Sequence, residues 1–154
     1  MSDVHVRRLR GVQAEFDAAR QALAYLERHW QRDAIYREVE RTTSRDLAAA
    51  SRHVEATYFI RLFAEFEGLL KDQLATNHPS VAVPARPKVD WLVKRIMSVE
   101  RVETDPQFRR RLDAVRDYRN SIAHRSGRAA IPITLTAALS LLNTLAAKLS
   151  DPVK

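Results

Sequence analysis

The run from Leu47 to Leu70 constrains the fold more than any other part of the chain. Leu47, Val54, Tyr58, Leu62, Phe66 and Leu69 recur at helical spacing, and Phe59, Phe63 and Leu70 widen the stripe. A helix that is apolar over so broad an arc has to be covered on more than one side, so it is expected at the centre of a bundle. Its start is marked by Thr43 and Asp46, a hydroxyl and a carboxylate at capping-box spacing, which predicts a helix to about Thr76. Ala48, Ala49 and Ala50 permit close approach of a neighbour.

The flanking stretches have the same period. Residues 3 to about 41 read as one or two helices, with Val12, Phe16, Ala19, Leu23 and Leu26 at steps of three and four. Gly11 and the polar run 28–33 are the weak points, and Trp30, Ile35, Tyr36 and Val39 predict that the helix continues or restarts. Residues 77–87 carry Pro79, Pro84 and Pro87 without helical period and read as a connecting loop. Lys88 to about Val102 forms a third element. Asp105 suits the N-cap of the next helix and Pro106 its first position, while Thr104 and Gln107 have capping-box spacing. Ser126-Gly127 is a plausible stop. A final helix follows Thr134, with Leu135, Leu139, Leu142, Ala146 and Leu149 in one stripe, covered by the core or by a second subunit. With three glycines and no strand pattern, the expectation is an all-α, up-and-down bundle of five or six helices, forming a single domain over residues 1–154.

Composition narrows the function. No cysteine is present, which excludes disulfides and thiolate metal sites and fits a reducing, cytoplasmic setting. No apolar run reaches the length of a signal peptide or a membrane span, so no membrane partner is expected. Apart from His124, His5 lies near a terminus and His78 in a loop, while His29 and His53 lie on helices without a second ligand at metal spacing, so no metal or cofactor is expected. The net charge of +7 favours an anionic partner, of which nucleic acid is the commonest. Between Phe108 and Arg128 lie Arg109, Arg110, Arg111, Arg116, Arg119, Arg125 and Arg128, opposed only by Asp113 and Asp117. Arg116, Arg125 and Arg128 are the candidates for contact with an RNA backbone.

The same helix breaks its own pattern. Phe108, Leu112, Val115 and Ile122 form an apolar stripe, and Arg119 falls inside it. A guanidinium on the buried face costs several kcal/mol, in order of magnitude, unless it is paired or reaches water. Such departures concentrate where function resides. Arg119, Asn120 and His124 supply a permanent cation, an amide and a group that titrates near neutrality, a set suited to a phosphate. Five residues separate Arg119 from His124, which puts them about 140° apart on an ideal helix. Either the helix end bends His124 round, or the site lies between two copies of this helix.

Arg119-Asn120, three residues and His124, at the end of a helix in a small basic helical protein, resemble the HEPN domain. Phe63-Ala64-Glu65-Phe66-Glu67-Gly68-Leu69-Leu70 looks like that family's other core helix, and the resemblance covers residues 43–150. It implies a homodimeric, metal-independent endoribonuclease that leaves 2′,3′-cyclic phosphate ends. His124 would then be the general acid or base, and Arg119 would stabilise charge on phosphorus. Asn120 would orient His124 or bind phosphate. Glu67 resembles the family's acidic position, and both Glu65 and Glu67 are candidate partners for Arg119. Many relatives are toxins with a cognate antitoxin protein, or defence nucleases. Others have lost catalysis and only bind RNA or protein. Plainer readings of the same residues are an ion pair of Arg119 with Glu65 or Glu67, a helix-terminal His124 facing the dipole, and a subunit that dimerises through residues 134–150.

Overall fold

The computed structural model describes residues 3–34, 37, 43–124 and 130–150, leaving out the side chains of residues 3–5, 124 and 150. The described residues contain five helices and no strand: α1 (Asp3–Arg32), α2 (Ser44–Asn77), α3 (Val89–Val99), α4 (Pro106–His124) and α5 (Leu135–Ser150). The chain is an all-α helical bundle. Ile35, Tyr36 and Val39, on which a restarting first helix rested, lie outside the described residues, as does the Ser126-Gly127 stop.

The helix ends follow from local chemistry. Thr43 caps α2 with a complete capping box: its Oγ1 accepts from the Asp46 N–H at 3.2 Å, and Asp46 Oδ2 accepts from the Thr43 N–H at 2.9 Å. The Thr43 hydroxyl, which donates to Asp46 Oδ2 at 2.6 Å, and the Thr43 N–H hold the Asp46 carboxyl below its ordinary pKa. Asp105 caps α4 by accepting the Phe108 N–H at 2.8 Å. The expected box between Thr104 and Gln107 does not form, because the Thr104 hydroxyl accepts from Arg109 Nε at 2.9 Å instead. Thr134 caps α5 through the Ala137 N–H. At the end of α3 Arg101 takes a positive φ of 53°, and the Val102 N–H bonds back to the Met97 carbonyl. That is the Schellman exit, with arginine where glycine is usual.

The long helix is central, as its broad stripe requires: α2 packs against each of the other four. Phe59, Leu62, Phe63, Phe66, Leu69, Leu70 and Leu74 of α2 are buried against Leu9, Val12 and Phe16 of α1, Leu92 and Ile96 of α3, Phe108, Leu112 and Val115 of α4, and the leucine stripe of α5. Each such side chain contributes roughly 1.5–3 kcal/mol by leaving water. The apolar stripe of α5 lies inside one chain, with Leu135, Leu142, Leu145 and Leu149 at most 1% exposed, so residues 134–150 offer little of that stripe for a second subunit. Glu15 and Arg61 pair at equal distances from the 33–43 connection, so α1 and α2 run antiparallel. Beyond Phe16 on α1, no described residue is buried, and before Phe59 on α2 only Leu47 is. The bundle proper therefore surrounds the α2 C-terminal half, and the other half of the hairpin reaches past it.

One polar cluster is built into this core. His78 caps the end of α2, and its Nε2 lies 2.9 Å from Glu100 Oε1, which also accepts from Gln73 Nε2 at 3.2 Å. Gln73 is buried and the Glu100 side chain is only 9% exposed. Burial pushes the Glu100 pKa up, but the hydrogen bonds from His78 and Gln73 outweigh it and leave the carboxyl below its ordinary value. The cluster ties the C-terminal end of α3 to the C-terminal end of α2.

Candidate nucleic-acid interface

Arg119 sits where the stripe of α4 predicts, between buried Val115 and half-buried Ile122. Its own side chain is half-buried. The guanidinium carbon lies 5.7 Å from the centre of the Phe63 ring, a cation–π contact with α2. Nη1 donates to Asn120 Oδ1 at 3.1 Å. Nε is buried and makes no hydrogen bond. Tyr118, one residue earlier, packs edge-on against Phe59 at 4.9 Å and fixes the rotation of α4 on α2. Burial and the charge of Glu55 raise the Tyr118 pKa.

The guanidinium opens on a cleft of about 610 Å³ between α2, α4 and the start of α3. Phe63 and Glu67 line one wall, Arg116, Arg119 and Asn120 the second, and Pro87, Lys88, Val89 and Asp90 the third. The two carboxylates named as partners of Arg119 separate here. Glu67 lines the cleft, while Glu65 does not, because two residues on a helix project about 200° apart. Neither pairs with Arg119. Glu67 takes Lys71 at 2.8 Å, one turn along its own helix, and Glu65 acts through its charge on Arg61. The plain ion-pair reading of Arg119 is therefore not what the structure contains.

Arg116, a candidate for RNA-backbone contact, is ion-paired within the chain. Its guanidinium contacts Asp90 at 3.0 Å, Asp113 at 3.0 Å and Asp117 at 3.2 Å. Burial would lower its pKa, but the hydrogen bond to Asp117 and the charges of Asp113, Asp117 and Asp90 hold it above the ordinary arginine value. Its charge is compensated three times over, so its first task is to hold the start of α3 against α4. Asp90 also bonds Lys94, and that hydrogen bond, with the charges of Lys94 and Arg116, keeps the Asp90 carboxyl low.

Asn120 faces Arg119 and spends its carbonyl there, which leaves its amide N–H groups as donors toward the cleft. Ser121 donates to the Tyr118 carbonyl at 2.7 Å, a bond that competes with the helical ladder in the last turn before His124. The backbone of His124 closes α4. Its side chain, and Arg125 and Arg128 altogether, lie outside the described residues. Arg110 and Arg111 are exposed on the same helix, without ion pairs among the described residues.

Lys88 is the cleft residue that sequence reasoning missed. It was read only as the first residue of an apolar element, and its position opposite Arg119 depends on how the 78–88 connection folds back. The local signal was Pro87-Lys88 directly before a helix start. Among the described residues, no group of three His, Asp or Glu side chains is arranged to hold a metal ion, and no helix is long and apolar enough to cross a membrane. Compared with known proteins, the chain matches no family model, no curated protein and no solved structure.

Proposed function

We propose that the protein is a HEPN-type endoribonuclease that binds RNA at the Arg119 cleft and cleaves it without a metal ion, as a cytoplasmic homodimer. The observation that carries this reading is the state of Arg119: a half-buried guanidinium, held by Asn120 and Phe63, with a cleft in front of it and no carboxylate partner among the described residues. A cation kept in an apolar seam without a counter-ion is ready for an anion brought from outside. Its place five residues before His124 supports phosphodiester chemistry over mere anion storage.

In this reading Arg119 donates to the non-bridging oxygens of the scissile phosphate and stabilises the charge that builds on them in the transition state. Asn120 holds the guanidinium and offers its amide to the same phosphate. His124 removes the proton of the ribose 2′-hydroxyl, or protonates the leaving 5′-oxygen. The 2′-oxygen bonds to phosphorus as the bond to the 5′-oxygen breaks, which leaves a 2′,3′-cyclic phosphate and a 5′-hydroxyl. The angle between Arg119 and His124 on one helix is the reason for the homodimer, in which each copy supplies part of a shared site. A toxin paired with an antitoxin protein is a biological setting that fits such an enzyme.

The test is incubation of the purified chain with RNA in excess chelator, beside His124→Ala. Cleavage by the wild type alone, with cyclic phosphate ends, is the expected result. Intact RNA with a folded wild type, or activity only with added metal, overturns the proposal. Salt-sensitive binding without cleavage assigns the chain instead to the non-catalytic modules of this fold.

A further inference from the structure

The charges that line the Arg119 cleft do not cancel, and what is left over has a direction. Five charged side chains line it: Lys88, Arg116 and Arg119 against Glu67 and Asp90. Both carboxylates are already engaged. Glu67 pairs with Lys71, and Asp90 gives one oxygen to Arg116 and the other to Lys94. Arg116 is in turn surrounded by Asp90, Asp113 and Asp117. Two cations remain, Arg119 on α4 and Lys88 at the start of α3. No carboxylate among the described residues pairs with the Lys88 ammonium. Lys88 occupies the N-cap position, where its ammonium, a donor without a lone pair, cannot accept from the helix N–H groups.

We infer that Lys88 is a second RNA-backbone contact of this cleft, gripping a phosphate next to the one held by Arg119, so that the two walls take successive phosphates of a single strand. This rests on the reading of the Arg119 cleft as an RNA site and adds a residue to it. The two cations differ in kind. Arg119 is fixed by Asn120 and Phe63 and suits an oriented, two-pronged contact with the reacting phosphate. Lys88 is exposed and unanchored, and suits a point charge that tracks the backbone without reading sequence. Lys88 is therefore a binding residue, and its loss weakens substrate capture more than turnover. The Asp90–Arg116 pair joins the start of α3, next to Lys88, to α4, which carries Arg119.

The experiment measures binding and cleavage of a single-stranded RNA oligonucleotide by full-length wild type, Lys88→Glu, Lys88→Ala, Lys88→Arg and Lys148→Glu. Lys148 is an exposed lysine in the last turn of α5 and controls for a loss of net charge anywhere on the surface. Expected are at least about tenfold weaker binding and a raised KM for Lys88→Glu, with kcat little changed, recovery in Lys88→Arg, and a change within about twofold for Lys148→Glu. Lys88→Ala should lower the slope of log K against log salt by about 0.7, the value of one single-strand phosphate contact. Lys88→Glu that binds and cleaves like a wild type active on RNA overturns the Lys88 assignment alone. Equal losses in Lys88→Glu and Lys148→Glu overturn it as well, and a folded wild type that does not bind RNA overturns the cleft reading together with it.

Discussion

Arg119 donates from Nη1 to the side-chain carbonyl of Asn120 at 3.1 Å, so this cation is steadied by its chain neighbour and by no carboxylate among the described residues. Removing it should change stability little. Arg119→Ala loses a cation–π contact worth about 0.5–1 kcal/mol. It also removes a buried Nε that has no partner, whose desolvation costs about 1–3 kcal/mol. The two effects oppose each other. The expected outcome is a folded variant with cleavage reduced by about 10²–10³, the cost of a lost oxyanion donor. Thermal melting beside an RNA cleavage assay checks both halves.

Asn120→Asp puts a carboxylate where the amide oxygen now accepts. The new charge pairs with Arg119 and competes with phosphate. RNA affinity should fall, and the salt slope should decrease by about one phosphate contact, roughly 0.7 for a single strand. Filter binding at 50 to 200 mM salt measures it. A slope equal to the wild type's would mean that the guanidinium meets no phosphate.

Glu100→Ala should destabilise the protein by about 1–3 kcal/mol at pH 7, because Gln73 and His78 lose their shared acceptor in a buried place. The folded pKa of Glu100 is lowered, so its contribution is complete above the unfolded carboxyl value near 4.5 and fades as pH falls through the folded value. Urea denaturation of both proteins should show a wide gap at pH 7 that narrows below pH 4.5.

Gly68→Ala should stabilise the protein. Gly68 lies inside α2, and a Cβ built there meets nothing within 4 Å. Alanine gains about 1 kcal/mol over glycine in a helix interior. For a chain of this size that corresponds to a rise in Tm of roughly 2–4 °C.

Leu142→Ala tests the assignment of α5 to the core. Leu142 is fully buried, on a helix that packs against α1, α2 and α4. The cavity should cost about 2–5 kcal/mol, measured by denaturant unfolding. A surface or interface leucine would lose far less in a dilute monomer.

The helices were legible because each carries its own period and most carry their own caps. Thr43 with Asp46, and Asp105 with Pro106, are signals within four residues of one another, and the structure uses both. Arg119 was legible for the same reason: phase along α4 alone places it beside Val115 and Ile122. What depends on two distant segments was not. Asp90 meets Arg116 across 26 residues, an ion pair that the spacing along α4 does not reveal. Gln73, His78 and Glu100 converge from the ends of α2 and α3, so His78, which looked like an idle loop residue, closes a buried cluster. The resemblance favours Glu67 over Glu65, but only the packing of α2 on α4 determines which of them lines the cleft. Lys88 has only the local signal of Pro87-Lys88 before a helix start, and its place in the cleft depends on the fold of the 78–88 connection.

The hairpin of α1 and α2 is buried near one end and open near the other. Leu23, Trp30 and Val54 are only half-covered, and Leu26 is 38% exposed. Cooperative unfolding is therefore not uniform along these two helices. Backbone amides between residues 20 and 30 should exchange with deuterated solvent through a partial opening that leaves the Phe59–Leu74 segment closed. The Arg119 cleft is anchored to that slow half, through Phe63 and Glu67, and so keeps its shape while the far turns of the hairpin breathe.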